Sequence, residues 1–133
     1  MLEPKRMPGT LPAVTRRVLI VEDDDDSREM LIELMDLLGH RAFDSPSATD
    51  ALRVAEDEDP DVVLIDIGLP DASGCDIART LRAAPNGSRR RLVALTGYSD
   101  SVTRKLAADA GFDDFVVKPF SSDSLANLLG DQL

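Results

Sequence analysis

The chain has 133 residues, 43% of them hydrophobic, and a formal net charge of -10. That size suits one domain with a real core, the hydrophobic share excludes a disordered chain, and the acidity argues against direct binding to a nucleic-acid backbone. One cysteine cannot close an internal disulfide, so a reducing compartment is expected, and the lack of a membrane-length apolar run or a signal-peptide start predicts a soluble cytoplasmic protein.

Residues 1–16 carry Pro4, Pro8, Gly9 and Pro12 among scattered charges and read as a flexible arm ahead of a domain over 17–133. Strand one is predicted over 17–22. A helix over 26–38 follows, with Met30, Leu31, Leu34, Met35 and Leu38 at helical spacing and Gly39 as its stop. Asp24, Asp25 and Asp26 suit a helix N-terminus, with Asp26 or Ser27 as the expected cap. A weaker strand over 40–45 leads to a helix over 47–57 capped by Ser47. His40 has no second ligand at metal-binding spacing, so no metal or catalytic role is assigned to it.

Strand three is predicted over 62–66, followed by a turn-rich loop from Gly68 to Gly74 and a helix over 75–84. Cys75 reads as a small, half-buried residue at the start of that helix. Pro85 to Ser88 turns the chain into strand four over 91–96, and Arg89, Arg90 and Arg91 read as a solvated basic loop before it. A helix over 100–110, strand five over 114–117 and a last helix over 122–130 complete the alternation.

Four of these strands are continuous apolar runs, the signature of a parallel sheet buried on both faces. Strands alternating with helices mean a doubly wound α/β fold, and the commoner orders for five strands include 2-1-3-4-5. In such a sheet ligands bind at the carboxyl ends of the strands. Strand one ends at Glu22 and Asp23, strand three at Asp66, strand four at Thr96, and strand five runs into Lys118. Three acids, a hydroxyl and an ammonium at one edge suit a divalent cation, a nucleophilic carboxylate and the phosphoryl group it receives.

Four segments carry a resemblance to a known family: Val18-Leu19-Ile20-Val21-Glu22-Asp23, Asp66-Ile67-Gly68-Leu69-Pro70 with Gly74, Leu95-Thr96-Gly97, and Val117-Lys118-Pro119-Phe120. In that order and spacing the chain resembles the CheY-like receiver domain of two-component signalling over residues 17–130. The order 2-1-3-4-5 is already known from CheY itself. The resemblance implies that Asp66 is the phosphoacceptor. It implies that Glu22, Asp23, Asp66 and the backbone carbonyl of Gly68 hold Mg2+. Thr96 resembles the hydroxyl, and Lys118 the ammonium, that contact the phosphoryl group. Phe115 matches the aromatic switch position, and the Lys118–Pro119 bond is cis in this family. Such a module assists its own phosphorylation and turns over no separate substrate.

The implied partners are a histidine kinase or histidine phosphotransfer protein and a downstream effector protein, with no nucleic acid or membrane bound directly. Docking of the donor is expected on the first helix near Asp26, Glu29 and Glu33. Dimers in this family often use the face of the fourth helix, fifth strand and fifth helix. The stretch Ala94-Leu95-Thr96-Gly97-Tyr98 also resembles receivers fused to hybrid sensor kinases, while Met1 and the arm fit a free-standing protein. A reading of another class is a flavodoxin-like nucleotide or flavin binder. It wants a Gly/Ser/Thr-rich loop after strand one, where this chain has acids.

Overall fold

A computed structural model describes residues 15–67, 73–97 and 101–130. Apart from Thr15 and Arg16, the arm expected over 1–16 lies outside the described residues, as do Gly68 and Tyr98. The strands are β1 (Arg17–Val21), β2 (Arg41–Ser45), β3 (Val62–Asp66), β4 (Arg91–Thr96) and β5 (Asp114–Val117). The helices are α1 (Asp25–Leu37), α2 (Ala48–Glu58), α3 (Gly74–Ala83), α4 (Ser101–Ala110) and α5 (Ser122–Gly130), with a 3-10 turn over Gly87–Arg89 that replaces part of the predicted loop. All strand pairs are parallel, in the order β2-β1-β3-β4-β5. The predicted fold class and order are both present. No described helix is long and apolar enough to cross a membrane.

The pleat divides the strand residues between two cores. Leu19, Val21, Val63, Ile65, Leu92 and Ala94 face α2, α3 and α4. Val18, Ile20, Val62, Leu64, Val93 and Leu95 face α1 and α5. All twelve are fully buried, which explains runs that are apolar throughout instead of alternating.

Local chemistry sets the element ends. Ser47 caps α2 as expected, and its side chain accepts from the Asp50 amide. Asp59 ends α2 in the left-handed region at φ 46, a conformation aspartate tolerates better than most residues. The cap of α1 is a correction. Asp24, not Asp26 or Ser27, takes the extended cap conformation, and its Oδ2 accepts from the Ser27 amide at 2.8 Å. Asp25 and Asp26 then fall in the first turn, where the helix dipole favours them.

The reading of Arg89 to Arg91 as a solvated loop is also corrected. Arg89 is exposed, but Arg90 is buried and pairs with Asp59 at 2.9 Å, and Arg91 opens β4 paired with Asp114. The acids come from the end of α2 and the start of β5, so chain neighbours gave no sign of them. His40 is buried, and its Nδ1 accepts from the Arg16 amide at 2.9 Å. Burial, then the nearby Arg16 charge, push its pKa down, as suits a neutral imidazole acting as acceptor. Its role is structural.

Candidate functional site

The strand register brings the chemistry together. Val21 pairs with Ile65, Asp66 with Leu95, and Thr96 with Val117. Glu22, Asp66, Thr96 and Lys118 therefore lie side by side across the carboxyl edge. Pleat parity then splits them. Asp66 follows the parity of Val62 and Leu64, toward α1 and α5. Thr96 follows that of Leu92 and Ala94, toward α3 and α4.

The ion pairs follow this division, while Asp66, at the very edge of the sheet, also reaches the cleft that Thr96 borders. Lys118 Nζ donates to Glu22 Oε1 at 3.1 Å, to Glu22 Oε2 at 3.2 Å and to Asp66 Oδ2 at 3.2 Å. Glu22 is fully buried, the Asp66 side chain is 13% exposed and Asp23 is exposed. One carboxylate oxygen from each of Glu22, Asp23 and Asp66 lies within 4.8 Å of the others. Thr96 is buried and borders, with Asp66, Cys75 and Leu106, a cleft of about 400 Å3. Its carbonyl accepts from the Lys118 amide at 2.7 Å, just before the cis Lys118–Pro119 bond. Phe115 is half-buried against the α2, α3 and α4 core, with the Arg104 guanidinium 4.8 Å from its ring centre. Cys75 is buried, more fully than expected.

Two further features hold this edge in place. Gly74 opens α3 directly behind Asp66, and its amide donates to the Ile67 carbonyl at 3.0 Å. A Cβ there would stand 2.8 Å from Ile67 Cα and run into the Asp66 carbonyl. Backbone cannot yield as a side-chain tip can. Gly74→Ala is expected to lower stability by about 1–3 kcal/mol, the usual range for overpacking, as measured by urea unfolding. The second feature is Arg28, which sequence reasoning missed: its Nη1 donates to the Glu22 carbonyl at 3.0 Å. Its only sequence signal is its place one turn past the cap of α1.

Like charges about 4 Å apart repel by about 4 kcal/mol at an effective dielectric of about 20, so crowded carboxylates hold a proton. Burial first, and then the hydrogen bond with Asp66, push the Glu22 carboxyl up to about 7 against the pull of Lys118. Burial alone would lower Lys118, but its bonds to Glu22 and Asp66 outweigh that and raise it. Glu22 and Asp66 thus share the one Lys118 ammonium.

Stability therefore depends on pH. Native Glu22 holds its proton more tightly than the unfolded chain does. Its contribution to stability is full below about 4.5 and is lost as pH rises through about 7. Each pH unit of that window is worth about 1.4 kcal/mol at most. Urea unfolding of metal-free protein at pH 5 and 7.5 should show this contribution as the difference between the parent and Glu22→Gln, because His40, pushed down by burial, acts in the opposite sense in both. An equal fall in Glu22→Gln would mean that another group titrates.

The chain matches the family described as the response regulator receiver domain over residues 18–130. It belongs to that family, and so to the signalling modules of two-component systems. It is 36% identical over 109 residues to the transcriptional regulatory protein KdpE of Mycobacterium tuberculosis, covering 80% of this chain and 46% of that protein. It is 30% identical over 112 residues to an uncharacterized 14.6 kDa protein from the sodA1 3' region of Leptolyngbya boryana, covering 84% and 86% of the two. The receiver domain of the sensor histidine kinase PA1611 from Pseudomonas aeruginosa, solved with a magnesium ion in its active-site cleft, superposes with a TM-score of 0.79 at 30% identity, covering 86% of this chain and 94% of that one. The chain spans about half the length of the curated regulators it matches, KdpE and MtrA.

Proposed function

We propose that this receiver, taken as residues 17–133, accepts a phosphoryl group on Asp66 and uses it to switch a partner-binding surface. The observation that carries the reading is the grouping of Glu22, Asp23 and Asp66 within 4.8 Å beside the Lys118 ammonium. Three carboxylates are hard oxygen donors and fit Mg2+, which takes six oxygens and keeps several waters. Glu22, Asp23 and Asp66 would hold it, with the Gly68 carbonyl as the family implies. When bound, Mg2+ neutralises charge on the oxygens of the transferring group.

The chain's own residues do the rest. An Asp66 carboxylate oxygen attacks phosphorus, and the bond from phosphorus to the donor imidazole nitrogen breaks. The electron pair stays on that nitrogen, which takes a proton as histidine is restored. Lys118 supplies a point charge and leaves its Glu22 bonds to meet the new oxygens. Thr96 donates its hydroxyl to a phosphoryl oxygen. That movement opens space for Phe115 to turn inward, and a bias of a few kcal/mol between two states suffices for such a switch. The protein assists its own phosphorylation and turns over no other substrate.

The donor is a histidine kinase or histidine phosphotransfer protein, docking on α1 where Asp26, Glu29 and Glu33 are exposed. The recipient is an effector protein or a second copy, and the setting is cytoplasmic. Nucleic acid is not proposed as a direct partner: the net charge of -10 supports this, and the DNA binding in the name of MtrA belongs to proteins about twice as long.

The test is intact mass spectrometry after incubation with a small phosphodonor. One added phosphoryl group is expected with Mg2+ and none with chelator; labelling that ignores the metal would contradict the reading. Thr96→Ala should still be labelled but should lose the NMR shifts near Phe115 that accompany phosphorylation. Parent-like shifts in that variant would remove the coupling role of the hydroxyl.

A further inference from the structure

Arg28 closes the first turn of α1, yet its side chain is only 15% exposed. Its three nitrogens reach three elements. Nη1 donates to the Glu22 carbonyl at 3.0 Å, Nη2 to Asp25 Oδ1 at 2.6 Å, and Nε to Asp44 Oδ2 at 3.3 Å. The guanidinium therefore ties the loop after β1 to the start of α1 and to β2.

The bond to Glu22 is to backbone, and its consequence falls on Asp23. The Glu22 amide donates to the Ser45 carbonyl at 3.1 Å. With its carbonyl held as well, both peptide planes flanking Glu22 are fixed. The second plane fixes where the Asp23 nitrogen and Cα stand, and only rotation about its N–Cα bond is left to swing the Asp23 side chain. Asp24, next in the chain, is anchored by its cap on Ser27. Asp23 is exposed and hangs between these two pinned residues.

We propose that Arg28 is a positioning residue for the acidic pocket, its planar fork aiming Asp23 toward Glu22 and Asp66 through the Glu22–Asp23 peptide. This role rests on the reading of that pocket as a metal site.

Arg28 has two effects on a divalent cation, and they differ in sign. Its charge repels the ion, so charge alone predicts tighter Mg2+ binding once the arginine is removed. Its fork pre-organises a ligand, so positioning predicts weaker binding. The ion pairs themselves add little, because Asp25 is 80% and Asp44 48% exposed. Lysine keeps the charge but offers one rotatable point in place of a fork, and so separates the two effects.

The experiment is calorimetric titration of MgCl2 into the parent, Arg28→Lys, Arg28→Gln and a control, Arg53→Gln, with melting curves with and without Mg2+. Arg53 lies on α2 with its side chain 65% exposed, and its ion pairs are with Asp50 and Asp57 of the same helix. Both Arg28 variants should bind Mg2+ at least fivefold more weakly and show a smaller Mg2+-induced rise in Tm, while Arg53→Gln behaves as the parent. A residue that only held the fold together would lower both melting temperatures equally and leave the Mg2+ affinity unchanged. Parent-like affinity in Arg28→Lys, or tighter binding in Arg28→Gln, would overturn the proposal; if Arg28→Gln fails to fold, Arg28→Lys decides alone. A parent that gives neither heat nor a Tm shift would remove the metal reading itself, an outcome distinct from failure of the clamp.

Discussion

Asp66→Asn protein should take up no phosphoryl group under conditions in which the parent takes up one. The amide is nearly the same size as the carboxylate, so the site keeps its shape, and the Lys118 ammonium still has Glu22 at 3.1 Å to hold it. What is lost is the nucleophile. An amide nitrogen shares its lone pair with the carbonyl, and the neutral amide oxygen attacks phosphorus far more weakly than a carboxylate does. Neighbouring carboxylates are poor substitutes for different reasons. Glu22 is fully buried and held by the Lys118 ammonium, and Asp23 lies beyond the end of β1 and is exposed. Stoichiometry should fall from one to zero by intact mass. A stoichiometric label on Asp66→Asn would place the acceptor elsewhere.

Asp23→Ala should abolish the stabilisation that Mg2+ gives the parent. A ligand that binds only the native state at about 100 times its dissociation constant adds about 2.7 kcal/mol, so the parent should show a clear rise in unfolding midpoint. Asp23 is the exposed member of the acidic group, and its removal costs no core packing. The metal-free midpoint should therefore stay near that of the parent while the Mg2+ response disappears. Glu22→Ala is a less clean probe, since it also takes away a partner of Lys118 and leaves a cavity in a fully buried place. A parent-like response to Mg2+ in Asp23→Ala would contradict the metal reading.

Much of this molecule is legible along the chain because its signals are local. Runs such as Val62-Val63-Leu64-Ile65 are apolar at every position and so mark strands covered on both faces. Glycine and proline punctuate the links, and Ser47 announces α2. The register follows less directly, yet four of the five strands end in or run into reactive residues, so a parallel sheet brings those tips to one edge whatever the details. For that reason the amino-acid order is enough to group Glu22, Asp23, Asp66, Thr96 and Lys118. Helix ends are harder to read. Asp24, Asp25 and Asp26 are chemically alike, and only the backbone conformation chooses Asp24 as the cap.

Hydrophobic pattern specifies the fold class, the family resemblance supplies the strand order, and the residues that end the strands mark which side chains can meet at one edge. How those residues are wired emerges only on folding. Folding sets Lys118 between Glu22 and Asp66, places Thr96 on the other face of the pleat, and raises Glu22 by burying it. It also turns Arg90 and Arg91 from an apparent solvated loop into tethers and makes one of Arg28, each to an acid or carbonyl outside its own element. One cause underlies all of these. Desolvation and ion pairing depend on distance in space, and residues such as Glu22 and Lys118 are 96 positions apart in the chain.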